Sequence, residues 1–252
     1  MNKTRRTLIT TGLATAAGAS GLAVAARLAD RYGLIPPDHG GIYGVGETLT
    51  YGAQRLLMSH HSLAREFDRS QISKVFPVNG EPPRTELYER LQAAQFADWR
   101  LKLDGLVARP SLLSLTELKR MPSVSQITHQ ACEEGWSAIA EWTGVPLSSV
   151  LSMAGVLPQA RYVVFYSLEE DGFESLDLPD AFHPQTLLAY GMNGQELPTR
   201  HGAPVRLRVA RQLGYKSIKF LSRITVTDTL KNLGKGLGST APEFGYSWYA
   251  GI

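Results

Sequence analysis

One cysteine, Cys132, stands in the stretch SQITHQACEEGWSAIAEWTGVPL (Ser125–Leu147), with His129 three residues before it and Glu133, Glu134 and Trp136 directly behind. A lone thiol cannot close an internal disulfide. It is a small buried hydrophobe, a nucleophile, or a ligand for something soft. Structural zinc takes four protein ligands, commonly in paired Cys or His spacing, and HQAC offers one of each with no second cysteine anywhere. A nucleophile needs a base and a depressed pKa. His129 is near enough in sequence to be that base, while Glu133 and Glu134 oppose formation of the thiolate. A thiolate also favours soft or high-valent transition metals, so ligation stays open beside the other two readings.

A second group of chemically capable residues runs through RHGAPVRLRVARQLGYKSIKFL (Arg200–Leu221), which carries six of the basic side chains. His201, Arg206, Lys216 and Lys219 are separated by a Pro-anchored strand and a turn at Gly214. Two lysines and an arginine converging near Ser217 and its neighbouring backbone N–H groups would cradle a dianion. A solvated basic hairpin is the alternative. Gly-Tyr-Lys is no nucleotide-binding loop, so a lone phosphate monoester, such as the arm of a cofactor, fits better.

Both groups need elements to position them. Glu117, three residues after Ser114, gives a capping box at the start of a helix that Pro122 closes. WRLKLDGLV, SQIT, RYVVFYSL, PVRLRVA and FLSRITVTD read as strands, the last two with polar alternation, and Asn193-Gly194 reads as a hairpin turn. YGAQRLLMSHHSLAREF and ELYERLQAAQF have helical spacing, PVNGEPP is a loop, and DAFHPQTLLAYGM gives a short helix followed by a strand. SAIAEWTGVPLSSVLSMAGV reads as helix, turn, helix. The fold class expected is α+β, one domain of short mixed elements.

With 252 residues, 43% hydrophobic and 19% charged, the chain is long enough for a substantial core. A net charge of +3 is too small to argue for nucleic acid, and the positive field is local, which suits a discrete anion. Beyond the first thirty residues nothing is apolar enough to span a bilayer. The N-terminus pairs Arg5 and Arg6 with a Gly/Ala-rich run and a small-x-small AVA at Ala23–Ala25, the form of a twin-arginine export signal over residues 1–26. Cleavage near Ala25 would release a periplasmic protein, and an uncleaved segment would be a membrane anchor. In an oxidising compartment an idle surface thiol would be oxidised unless buried or metal-bound.

Together, LLAYGMNGQELPTRHGAPVRLRV, GYKSIKFL, CEEGWSAIAEWTGVPL and FPVNG resemble the molybdopterin-binding domain of the sulfite oxidase family, over about Gln71 to Asp228. The resemblance implies a molybdenum–molybdopterin cofactor, with Cys132 as the catalytic thiolate that ligates the metal. It places Asn79, Ser167, His201, Arg206, Ser217, Ile218 and Lys219 on the pterin and its phosphate. It also implies a lead-in at 27–70, the catalytic domain at 71–228 and a tail at 229–252 packed on that domain. The family's C-terminal immunoglobulin-like domain is not expected here, because too few residues follow Asp228.

Sulfite oxidases follow their cysteine with positive charge, whereas this chain has Glu133 and Glu134, which would repel an anionic substrate. The Cys-x-Glu-x-Trp arrangement is similar to the catalytic subunit of the periplasmic methionine-sulfoxide reductase system, and His201 is shared with the sulfite oxidases. Oxygen-atom transfer is expected, favouring reduction of a small-molecule or protein-bound S-oxide or N-oxide with electrons from a membrane cytochrome b. Sulfite oxidation is the alternative, and a cofactor-free binding protein on the same fold is the second. The soluble part is expected to be a monomer. His183 is read as a turn or substrate-side residue, His60 and His61 as surface residues, and Trp136 and Trp142 as packing. Tyr246, Trp248 and Tyr249 are either a docking edge or a tail folded on the core.

Overall fold

The computed structural model describes residues 24–30, 33–38, 44–57 and 62–252. Arg5, Arg6, His60 and His61 lie outside these. Among the described residues no helix is long and apolar enough to cross a membrane.

Two five-stranded sheets and short helices make up the fold, as an α+β class requires. In the first sheet the order is β2 (Ser111–Ser114), β1 (Arg100–Gly105), β10 (Leu221–Thr227), β5 (Tyr162–Ser167) and β6 (Phe173–Asp177). Only β1 and β10 run parallel, and every other pair is antiparallel. The second sheet runs β3 (Val124–Ala131), β4 (Ser137–Pro146), β7 (Thr186–Met192) and β8 (Gln195–Glu196), with β9 (Arg206–Val209) also paired to β7.

Local chemistry sets several boundaries. α1 (Val45–Leu57) buries Tyr51. Thr85 caps α2 (Glu86–Ala93) by accepting from Tyr88 N at 3.2 Å. The Ser114–Glu117 box opens α3 (Leu115–Arg120): Ser114 Oγ accepts from Glu117 N at 3.1 Å, and Glu117 Oε2 accepts from Ser114 N at 2.8 Å. Asn193 and Gly194 adopt φ of +53° and +77°, joining β7 to β8 in a tight turn. Leu101, Leu103, Val163, Phe165 and Ile224 from the first sheet, Leu188 and Leu207 from the second, and Leu147, Val150 and Leu151 of α4 (Leu147–Ala154) form one continuous core.

SAIAEWTGVP is a strand, β4, and not the helix its alanines and glutamate suggest. Ala138, Ala140, Trp142 and Gly144 alternate inward, and the strand is bonded to β3 on one side and β7 on the other. Pairing on both edges outweighs a helical propensity worth only tenths of a kcal/mol per residue. At a register shift after Thr143, Gly144 passes so close to β7 that a Cβ would lie 2.2 Å from Leu188 O. The polar alternation expected in β9 is also absent, because Arg206 and Arg208 are both buried.

Leu230, Trp248 and Tyr249 form a second apolar cluster with Tyr51, Tyr162 and Val164. Trp248 Nε1 donates to Ser175 Oγ at 2.8 Å. Of the three tail aromatics only Tyr246 is exposed. Arg55 of α1 reaches Asp177 at 2.6 Å and Asp180 at 2.7 Å, tying the lead-in to the far end of β6.

Candidate active site

β3 ends in a reverse turn that presents Cys132. Its N–H bonds Trp136 O at 2.8 Å, and Gly135 N bonds Cys132 O at 3.1 Å. Sγ is buried and donates to Glu133 Oε2 at 3.3 Å and Glu134 Oε2 at 3.9 Å, while Asn79 Nδ2 donates to it at 3.8 Å. Burial raises the thiol pKa. The carboxylate of Glu133 adds to that rise and the Glu134 backbone N–H counters it. Strand alternation turns Gln130 and Cys132 toward a cavity of about 260 Å³ and His129 to the other face, where its ring meets Phe67 at 6.5 Å. His129 is therefore not placed to act as base for a cysteine nucleophile.

The opposite wall comes from the hairpin after β8. Arg206 is 4% exposed, and its Nη1 and Nη2 donate to His201 O at 3.0 Å and Ser217 O at 2.8 Å. Its guanidinium lies 5.0 Å over Trp142, with Arg208 at 5.7 Å from the same ring. Burial pulls Arg206 down to about 10 and, with Arg206 beside it, Arg208 to about 9, so both stay charged at neutral pH. Lys219 Nζ donates to Asn79 O at 2.6 Å and Arg200 O at 3.3 Å. Burial and then Arg206 lower it to about 8, with Glu169 and Glu81 opposing. His201 is lowered to about 4 by burial and by Arg206, Lys219 and Arg200, leaving it neutral.

The cavity thus brings together Asn79, Cys132, His201, Arg206, Ser217, Ile218 and Lys219. Ser167 stands behind the wall, its Oγ donating to Lys219 O at 3.0 Å. Lys216 is not part of the cradle. The 3-10 turn Gly214–Lys216 sends it inward, 3.1 Å from Glu174 and 5.0 Å from the Trp248 ring. Burial raises Glu174 to about 7 even with Lys216 alongside. His183 is buried away from the cavity, with Nε2 3.1 Å from Ser62 O. The sequence reading missed Glu169 and Tyr215 as lining residues and did not foresee Phe76, whose ring meets Trp136 at 5.7 Å, Trp142 at 5.5 Å and His201 at 5.5 Å. No spacing rule links these positions. Chain crossings alone bring them to the cavity.

A lone thiol facing a buried, cation-rich wall across one cavity defines a protein that holds an anionic cofactor carrying a soft metal centre. The chain belongs to the oxidoreductase molybdopterin-binding domain family, whose pattern matches residues 88–232. It is an oxidoreductase of the sulfite oxidase type whose cofactor is molybdenum–molybdopterin. It is 37% identical over 198 residues to YedZ1 of Azospira oryzae, a protein whose name makes it a candidate protein-methionine-sulfoxide reductase subunit, covering 79% of this chain and 71% of that one. It is also 35% identical over 162 residues to the protein-methionine-sulfoxide reductase catalytic subunit MsrP of Xanthomonas axonopodis, covering 58% of this chain and 50% of MsrP. The sulfane dehydrogenase SoxCD of Paracoccus pantotrophus is similar in structure, with a TM-score of 0.51 and 26% identity over 53% of this chain and 39% of that one.

The residues present fit such a group. Among the described residues no carboxylate hydrogen-bonds Arg206 or Lys219, whose donors go to backbone carbonyls, and Glu169 and Glu81 act on Lys219 only through space. The buried Arg206 and half-buried Lys219 suit an anion, and the facing thiol is the kind of donor that molybdenum takes.

Proposed function

We propose that Cys132 ligates the molybdenum and that Arg206, Lys219, Ser217, Ile218, His201 and Asn79 hold the pterin and its phosphate, with Ser167 fixing Lys219 from behind. The observation that carries this reading is the placement of the sole thiol opposite the buried cations in one cavity. When bound, the group supplies a two-electron centre for moving an oxygen atom. Arg206 binds the anionic arm and is itself held by two carbonyls, so its guanidinium is fixed before the ligand arrives. His201 stays neutral and offers a hydrogen bond without adding charge. Ligation would require the thiolate, so the proton that Sγ now shares with Glu133 Oε2 at 3.3 Å would be released when the metal is held.

The substrate we favour is an S-oxide such as methionine sulfoxide. Its reduction consumes two electrons and two protons and releases the sulfide and water. Two carboxylates beside the thiol suit a neutral oxide and oppose sulfite, and the names of the two sequence relatives point the same way. We further propose export by the twin-arginine route to the periplasm, electrons from a membrane cytochrome b, and a monomeric soluble part. Sulfite oxidation is the second reading, favoured by the likeness to a dehydrogenase. Steady-state assays of methionine sulfoxide and of sulfite with artificial dyes decide between them. Sulfoxide turnover with little sulfite oxidation is expected, and the reverse pattern overturns the assignment.

A further inference from the structure

A second cavity of about 260 Å³ opens beside the first and shares four walls with it: Glu133, Glu169, Tyr215 and Ile218. Its outer side is built by the tail after residue 232, which lies beyond the family pattern. Phe244 is 76% exposed at the lip and Tyr246 is 41% exposed, and Phe173 at the start of β6 lines the same cavity. These rings are not held out by a loose end. Trp248 is 1% exposed and bonded to Ser175, Tyr215 Oη donates to Ser247 O at 2.6 Å, and Thr240 Oγ1 donates to Phe173 O at 2.8 Å. The Tyr215 and Tyr246 rings pack at 5.3 Å. A well-anchored tail therefore keeps two aromatic rings in water at the edge of a groove that leads to Cys132, where apolar area gains nothing unless a ligand covers it.

The charge of the groove selects the ligand. Its lining includes Glu133, Glu169 and Glu174 and no lysine or arginine. Glu174 is offset by Lys216 and Glu169 is partly offset by Lys219 in the first cavity, so the negative charge at the junction with the active site sits chiefly with Glu133, with Glu169 beside it. A free amino-acid sulfoxide bound beside Cys132 would leave the aromatic lip bare. An extended polypeptide presents alternate side chains to opposite faces and can cover both.

We propose that this groove is a subsite for an extended polypeptide segment, placing an apolar or aromatic side chain against Phe244 and Tyr246 and a basic side chain near Glu133 and Glu169, next to the reacting residue. This rests on the sulfoxide-reductase reading for the identity of the reacting residue, though not for the groove's preference.

The test uses holoenzyme and two labelled peptides with a central methionine sulfoxide, one flanked by phenylalanine and lysine, the other by alanine and lysine. Fluorescence anisotropy gives their Kd, and a dye-linked assay gives their reduction. Wild type is expected to bind the first peptide roughly tenfold more tightly or better. Phe244→Ala and Tyr246→Ala together are expected to bring the ratio to within about twofold, and Phe244→Leu to retain most of it. Equal binding by wild type, or a preference that survives the double substitution, overturns the subsite. A preference without reduction of either peptide upholds the groove and refutes the sulfoxide assignment, whereas reduction without preference does the opposite.

Discussion

Cys132 keeps its proton until something displaces it, because burial and Glu133 both favour the neutral thiol. The apoprotein should therefore alkylate slowly at pH 7 for a free cysteine, with the rate rising only above the ordinary thiol range. Thiol-reagent kinetics from pH 6 to 10 check this. Lys219 behaves in the opposite sense. Its apo pKa of about 8 means that the ammonium is present below that pH and lost above it, while a bound anion raises the value. Affinity of the apoprotein for inorganic phosphate should accordingly be held up to about pH 8 and fall as pH rises further, as calorimetry would show. Flat affinity to pH 9.5 would remove Lys219 from the anion site. His201, lowered to about 4, makes the folded state bind fewer protons than the unfolded chain between pH 4 and 6.5. That costs stability as pH falls through this window and is absent above it. His201→Gln should shrink the loss between pH 7 and 5 by on the order of 1 kcal/mol after allowance for partial exposure, read from denaturant midpoints of the apoprotein.

At the level of elements, the cradle depends on a turn that only glycine fits. Gly202 has φ of +109°, and a Cβ there would lie 2.9 Å from Lys219 Cβ and 3.2 Å from Arg206 Cβ. Gly202→Ala should cost roughly 1–3 kcal/mol and displace both cations, lowering molybdenum content on purification more than thermal stability. An alanine variant with full metal content would contradict this geometry. Features of this kind were partly legible beforehand. The capping box at Ser114, the Asn-Gly turn and the dense strand at Tyr162 depend on neighbours in sequence, and each is where the residues place it. The alanines and glutamate of β4 favour a helix locally, and its strand state comes from pairing with the preceding β3 and with β7, far along the chain. Lys216 was misassigned for a similar reason. Spacing puts it near Lys219, and only the buried Glu174, more than forty residues earlier, explains why it turns inward. Cys132 and the basic hairpin could be named from type and spacing, whereas Phe76 and Glu169 reach the cavity by chain crossings alone.

For the whole molecule, the tail and lead-in clasp the first sheet from outside. Trp248 meets Tyr51 of α1 and Tyr162 of β5 edge-on, each with ring centroids 6.1 Å apart, and is almost fully buried. Trp248→Ala should cost about 3–5 kcal/mol and lower the melting temperature by roughly 10 °C, seen by calorimetry, because one substitution loosens α1, β5 and the tail together. A shift near zero would mean that the tail contributes little to the fold. At the middle of this frame lies the bond proposed between the sole thiol of the chain and molybdenum. X-ray absorption at the molybdenum edge, on wild type and Cys132→Ser loaded with cofactor, measures that bond directly. One sulfur neighbour fewer is expected in the variant. An unchanged sulfur count around the metal would contradict it.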